Sequence, residues 1–251
     1  MNEKESEIKQ WHPVFVSSMK IALKDAGNEV EIQNEVSLSS KPLKIDVLVI
    51  KNNAETKYKN PITHIFKRWN IIEFKSPSDR LEPTDFDYAV AYARLHQAIE
   101  NREEELLERY TITLFSSGYP REMFKRVLKR GLEIEKENPI KGIYRIKGEM
   151  YDMQVVVINE VSDEETLYPF APFISKKRVE SKALLRLIKE QLKEPENPDI
   201  KHVTEFTITN GIVSLEELKE VTEMIGNLNE VEKKKYILAL KGTWFENEIK
   251  K

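Results

Sequence analysis

The 251-residue sequence contains no cysteine. This excludes disulfide bonds, thiolate metal sites and a cysteine nucleophile, and it is consistent with a reducing compartment. No run of about 18 uncharged apolar residues occurs, so no transmembrane helix is predicted. The first residues, Met-Asn-Glu-Lys-Glu-Ser-Glu, are polar and lack the apolar region of a secretory signal. We therefore expect a cytoplasmic protein that does not associate with a membrane.

Glycine is also scarce, with eight residues in the whole chain. Neither a G-x-G-x-x-G loop nor a P-loop is present, which argues against a nucleotide-binding fold. No G-x-S-x-G elbow of a serine hydrolase occurs either. The four histidines lack the sequence spacing of metal ligands: His12, His64, His96 and His202.

The formal net charge is only −3, but positive charge is concentrated in two stretches. Lys41 to Arg80 has nine Lys and Arg against four Asp and Glu, and Arg121 to Arg130 has five against one. Such a protein can still bind a polyanion at one face. The alternative is that both stretches are ordinary solvated surface.

Apolar spacing predicts a mixed α/β fold in which helices pack on a sheet. Alternating or dense apolar runs predict strands, and a period near 3.6 predicts helices. Helices are expected at 11–26, 84–99, 120–130 and 179–192, and strands at 29–38, 43–50, 70–75, 110–115, 132–135, 142–146 and 153–158. Further capping and helical patterns follow at 214–226 and 231–248. We expect residues 1–175 to form the main domain and residues 176–251 a helical C-terminal extension.

Two consecutive strands carry charges in otherwise apolar surroundings. The first is Leu-Lys-Ile-Asp-Val-Leu-Val-Ile, with Asp46, and the second is Trp-Asn-Ile-Ile-Glu-Phe-Lys, with Glu73 and Lys75. Side chains two positions apart on a strand share a face, so Glu73 and Lys75 point the same way. If the strands are antiparallel neighbours, Asp46 lies beside Glu73.

Two buried carboxylates need a compensating charge, and a divalent metal supplies it. Oxygen ligands without cysteine or histidine suit Mg²⁺ or Mn²⁺. Such a metal activates water and polarises a phosphoryl oxygen, while a nearby lysine offsets developing charge. The alternative is a solvent-exposed ion pair between Glu73 and Lys75, which would contribute little to stability.

The order helix, strand, Pro-Leu-Lys-Ile-Asp46-Val-Leu-Val-Ile, Ile-Ile-Glu73-Phe-Lys75, helix, strand resembles the PD-(D/E)XK nuclease superfamily over about residues 10 to 116. The resemblance implies a restriction-endonuclease-like core of helix, three strands, helix and strand. It also implies metal-dependent hydrolysis of nucleic acid. Asp46 and Glu73 would be the metal ligands, and Lys75 the catalytic lysine.

The sequence departs from the superfamily pattern at two points. Members often have an acidic residue in the first helix, where this chain offers only Asp25 near the helix end. Glu35 on the first strand is a weaker candidate for that role. Ile45 stands where the pattern has proline immediately before the aspartate, and Pro42 lies earlier.

Other residues near the motif have two interpretations each. Lys67 and Arg68 could contact phosphate groups at the rim of the site, or they could lie in a solvated turn. Tyr88 and Tyr92 follow helical spacing, so we expect them in the core with their hydroxyl groups at its edge.

The leading hypothesis is a Mg²⁺- or Mn²⁺-dependent nuclease acting on nucleic acid, with DNA favoured over RNA, and a homodimer is one possible assembly. The second hypothesis is a non-catalytic module on the same fold that binds nucleic acid or a protein. A structural or regulatory protein, in which Glu73 and Lys75 form only an ion pair, is the third.

Overall fold

The computed structural model describes residues 11–37, 43–53, 58–100, 109–136, 140–161, 168–174 and 196–209, together with positions 166, 186–188, 190–191, 193–194, 223 and 231. Within these residues the bounded helices are α1 (Trp11–Ala22), α2 (Pro83–Ile99), α3 (Arg121–Lys129) and α4 (Pro198–Thr209). The strands are β1 (Val30–Ser37), β2 (Lys44–Lys51), β3 (Trp69–Phe74), β4 (Tyr110–Ser116), β5 (Glu133–Lys136), β6 (Ile143–Lys147) and β7 (Asp152–Val157). Short 3-10 turns connect several of them.

The strands form one seven-stranded mixed sheet in the order β1-β2-β3-β4-β7-β6-β5. Strand β2 is antiparallel to both β1 and β3. The central strands β3, β4 and β7 are parallel to one another, and β6 is antiparallel to β7 and β5. The predicted α/β class with a mixed sheet is therefore confirmed. Strands β3 and β4 lie near the centre of this sheet.

An aromatic core fills the face of the sheet that α1 covers. Phe15 of α1 stacks on Phe74 of β3 with ring centroids 4.2 Å apart, and Phe173 meets both rings edge-on. These rings are almost completely buried. Because aromatic rings bury large apolar areas, this cluster fixes α1 against the end of β3.

Helices α2 and α3 cover the opposite face of the sheet. Ala89 and Ala93 of α2 have no exposed surface, and they pack in one cluster with Leu48 and Ile71. Their small side chains let the helix backbone approach the strands closely. The second core thus places α2 directly beside β2 and β3.

The start of α2 differs by one residue from its predicted position. The helix was expected from residue 84, but it begins at Pro83 with Glu82 as its N-cap. The Glu82 backbone N–H donates to Asp85 Oδ2 at 2.7 Å. Proline at the first helical position explains the shift, because it lacks the N–H that the helix start leaves unpaired.

Helix α1 is shorter than predicted and ends at Ala22. A 3-10 segment, Lys24–Glu29, follows it and contains Gly27 at a φ of 52°. This positive φ is a conformation that glycine adopts without steric cost. Ala26 is buried within the 3-10 segment. The apolar spacing therefore predicted the burial of Ala26, although the segment is a 3-10 helix and not a continuation of the α-helix.

The described part of the C-terminal extension packs on α1. Trp11 and Phe206 of α4 are in edge-to-face contact at 5.1 Å, and Ile200 and Val203 belong to the same core cluster as Phe15. Helical residues occur at 186–188, within the helix predicted at 179–192. The patterns at 214–226 and 231–248 lie outside the described residues, apart from positions 223 and 231. α4 thus extends the main core rather than forming a second one.

None of the helices in the described part of the chain has the length and apolar character needed to cross a bilayer.

Candidate active site

Asp46 and Glu73 lie opposite each other on neighbouring strands. Val47 of β2 pairs with Ile72 of antiparallel β3, so the next positions outward are Asp46 and Glu73. Glu73 lies on the α2 side of the sheet, because Ile71, two positions earlier on β3, belongs to the cluster on that side, whereas the Asp46 carboxylate also lies near α1. The two acids are close enough for the charge of Asp46 to raise the pKa of Glu73, so the predicted convergence is found.

Hydrogen bonds join the two strand ends at these acids. The Phe74 backbone N–H donates to Asp46 Oδ2 at 2.9 Å. A hydrogen bond from the Asp46 backbone to the Glu73 carboxylate lowers the pKa of Glu73. Glu73 Oε1 is buried and has no hydrogen-bond partner. One oxygen at the centre of the site is thus left without the compensation that a buried acceptor requires.

The electrostatics of the pair favour the uptake of a cation or a proton. Burial, followed by the Asp46 carboxylate, raises the pKa of Glu73 to about 9. Burial also raises the pKa of Asp46, against the opposing effect of the Phe74 N–H. Two close buried carboxylates cannot both ionise at low cost. A positive charge bound between them would remove this penalty.

Lys75 follows β3 directly and is held at both its backbone and its side chain. Its N–H donates to the Phe115 carbonyl at 3.0 Å, which continues the pairing of β3 with β4. Its Nζ lies 2.9 Å from Asp85 Oδ1 at the start of α2. Burial lowers the pKa of Lys75, but the hydrogen bond to Asp85 together with the charges of Asp85, Asp46 and Glu73 outweighs this, so the net pKa is raised. The lysine is therefore a fixed cation beside the carboxylates.

Two residues of this site were missed in the sequence. Asp85 was predicted to lie at the start of a helix but was given no role in the site, although its Oδ1 binds Lys75. His12 Nδ1 lies 3.7 Å from Asp46 Oδ1, and its ring meets Phe74 edge-on at 6.0 Å. Neither contact has a local sequence signal, since helix packing brings the partners together from distant positions.

The candidates for an additional acid are not directed into the site. Glu35 lies on β1 opposite Asp46 but has a positive φ of 49°, and its carboxylate pairs with Lys44 at 3.4 Å. It is close enough to contribute to the raised pKa of Asp46. Asp25 accepts a hydrogen bond from the Lys59 N–H at 2.9 Å. It belongs to the turn after α1, away from the strand ends.

Lys67 and Arg68 lie at the other end of β3 from Glu73. Six residues separate Lys67 from Glu73, which corresponds to about 20 Å along a strand. Lys67 Nζ pairs with Asp152 at 2.9 Å, and the Arg68 guanidinium donates to the Lys51 carbonyl. The expected position at the rim of the site is wrong. Residues that are six positions apart in an extended segment lie far apart in space. Whether these two residues contact nucleic acid stays a prediction.

The core position expected for Tyr88 is also wrong. Tyr88 is 53% exposed, and its ring stacks on that of Tyr92 with centroids 6.0 Å apart and planes 17° apart. Tyr92 is partly buried. Its pKa is raised first by burial and then by the charges of Glu73 and Asp46. Tyr92 therefore lies near the acidic pair, and Tyr88 stacks on Tyr92.

The residues present fit Mg²⁺ or Mn²⁺. Within the described residues, no group of three or more His, Asp or Glu side chains is arranged to hold a metal ion. Mg²⁺, however, is commonly bound by one or two carboxylates, with water and substrate phosphate completing its coordination. The unpartnered Glu73 Oε1 and the nearby Asp46 carboxylate are oxygen donors of this kind.

Comparisons with protein-family models, with curated proteins and with solved structures give no match for this chain.

Proposed function

We propose that this protein is a Mg²⁺- or Mn²⁺-dependent nuclease with a PD-(D/E)XK-type site and a restriction-endonuclease-like core. The buried Glu73 Oε1, which has no hydrogen-bond partner beside a second carboxylate, is the observation that carries the proposal. A structural role gives no reason to retain so costly an arrangement. The succession of α1, β1–β3, α2 and parallel β4 supports the proposed core.

The chain's own residues have separate roles in the proposed reaction. Asp46 and Glu73 would hold the ion, and a bound ion would supply the chemistry of lowering the pKa of a water molecule and polarising a phosphoryl oxygen. Lys75 carries a fixed positive charge that offsets negative charge developing on the phosphate. Asp85 orients Lys75 and keeps it protonated.

The positive charge of helix α3 favours the proposal that the substrate is a polyanion, and among polyanions we favour DNA. Arg126 and Arg130 of α3 both contact Asp87 of α2 while remaining partly exposed. A guanidinium has several N–H donors, so one ion pair leaves donors that can reach phosphate oxygens. These cations lie on the same side of the sheet as Glu73.

Cleavage by purified protein tests this proposal. Wild type, Lys75→Ala and Lys20→Ala are incubated with plasmid, linear and single-stranded DNA and with RNA, in Mg²⁺, Mn²⁺ or EDTA. Lys20 is the matched control, because it also pairs with an aspartate, Asp199 at 3.3 Å, and lies about two helical turns along α1 from His12. We expect metal-dependent cutting that falls by about 100-fold or more in Lys75→Ala only. Equal cutting by both variants, or cutting in EDTA, would contradict the proposed site.

A non-catalytic binding module is the second candidate. It is favoured by the fact that, among the described residues, no group of three or more His, Asp or Glu side chains is arranged to hold a metal ion. Such a module would bind nucleic acid without cutting it and would not require Mn²⁺. Mn²⁺ titration of wild type and Glu73→Gln separates the two candidates, since only a metal enzyme needs uptake that depends on Glu73.

A further inference from the structure

A row of side chains on α2 leads from the acidic pair towards solvent. Asp85, Tyr88 and Tyr92 are separated by three and four positions, so they share one face of the helix. Asp85 contacts Lys75 directly, and Tyr88 lies one helical turn, about 5 Å, further along the axis. Tyr88 is therefore an exposed aromatic residue next to the proposed catalytic lysine.

The packing of α2 fixes this row against the site. Ala89 and Ala93 on the adjoining face have no exposed surface and hold the helix close to β2 and β3. Tyr92 is consequently close enough to Glu73 and Asp46 for their charges to raise its pKa. The Tyr88 ring lies almost parallel to that of Tyr92, at an interplanar angle of 17°. It is thus held in a defined orientation with one face directed outward.

A preoriented ring binds a flat partner at a lower entropic cost than a mobile ring. Nucleobases are such partners, and stacking of one base on an aromatic side chain contributes about 1–3 kcal/mol. A base held within a duplex stack cannot offer its face to a side chain, so only an unpaired or displaced base can use such a platform.

We propose that the Tyr88 ring is a stacking platform for an unpaired nucleobase adjacent to the scissile phosphate. This inference rests on the proposed function and narrows its substrate to nucleic acid that is single-stranded or opened at the cleavage point. Tyr92 supports the Tyr88 ring from behind and links it to the metal-binding acids. Arg126 and Arg130 contact Asp87, the residue before Tyr88, and supply positive charge that suits the phosphate backbone.

Binding measured without chemistry tests the platform. Fluorescence anisotropy of a labelled single-stranded oligonucleotide is recorded in EDTA for wild type, Tyr88→Ala, Tyr88→Trp and Ile99→Ala. Ile99 is the matched control, since it is also 53% exposed on α2 but lies near the far end of the helix. We expect Tyr88→Ala to weaken binding by about 5- to 100-fold, and the other two variants to bind like wild type.

The same assay with a blunt duplex and with an abasic single strand identifies what Tyr88 contacts. Tyr88→Ala should change binding of neither, because the first has no unpaired base and the second has no base to stack. Equal binding of the single strand by wild type and Tyr88→Ala would overturn the platform. An equal loss on the abasic strand would also overturn it. Since no metal is present, these outcomes are independent of whether Lys75→Ala abolishes cleavage.

Discussion

Lys75 and Asp85 face each other across the connection between β3 and α2, with 2.9 Å between Nζ and Oδ1. The other oxygen of Asp85 accepts the Glu82 backbone N–H, so one carboxylate both starts α2 and orients the lysine. The start of the helix and the geometry of the site are thereby coupled through a single side chain.

The role of Asp85 can be separated from the general stability of α2. We expect Asp85→Ala to slow metal-dependent cleavage at least tenfold and to cost about 1 kcal/mol in unfolding free energy, because the cap is also lost. Asp87→Ala is the control, as it removes ion pairs with Arg126 and Arg130 on the same helix. It should leave the cleavage rate per bound substrate unchanged. Similar rate losses in both variants would show that Asp85 acts only through helix stability.

Glu73 makes the metal-free protein less stable as pH rises. Its pKa is raised in the folded state from 4.5 to about 9, so the folded protein binds a proton that the unfolded chain releases. The resulting stability is fully present below pH 4.5 and is lost towards pH 9, by up to about 1.4 kcal/mol per pH unit. We expect urea unfolding in EDTA to show this slope in wild type.

Glu73→Gln is the reference for this slope, since glutamine does not titrate. Between pH 5 and about 9, the unfolding free energy of wild type should fall relative to that of the variant. A difference that is constant across this range would mean that Glu73 ionises normally in the fold.

Metal ions should compete with that proton and stabilise the protein. At pH 8, Mn²⁺ at a hundredfold excess over its Kd is expected to add about 2.7 kcal/mol, seen as a higher Tm by differential scanning fluorimetry. The gain should be smaller at pH 6, where the proton is harder to displace. Glu73→Gln should lose the gain, whereas Glu135→Gln on β5, at the far edge of the sheet, should retain it. An equal gain in all three proteins would place Mn²⁺ elsewhere.

Helix α4 should contribute to the stability of the whole fold. Ile200 has no exposed surface and lies in the α1 core, so Ile200→Ala is expected to cost about 2–5 kcal/mol in a single urea transition. Lys201→Ala, at the next and exposed position, should change stability by less than about 0.5 kcal/mol. A separate early transition in Ile200→Ala would instead indicate that the extension unfolds independently.

Period-two alternation was enough to predict the central contact of the site. Given antiparallel β2 and β3, the strand pattern places Asp46 beside Glu73, and the structure has this register. The strands themselves were predicted within a few residues, because their apolar runs are buried on both faces. Local patterns therefore determined which elements form and which faces they share.

Local sequence patterns could not predict the contacts between elements that are distant in the sequence. His12 reaches Asp46 only because Phe15 packs α1 onto Phe74, and Lys75 meets Asp85 only through the path of the connection into α2. Tyr88 illustrates the same limit, since helical spacing defines a face but not whether another element covers it.

The hydrogen bond from the Phe74 N–H to Asp46 Oδ2 gives the protein an internal spectroscopic probe. The strength of this bond depends on whether the carboxylate is free, protonated or bound to a cation. The amide chemical shift of Phe74, and the exchange rate of its proton, should therefore follow the state of Asp46 in a single NMR titration. Occupancy of the site could then be read from a main-chain signal, without a substrate or a catalytic event.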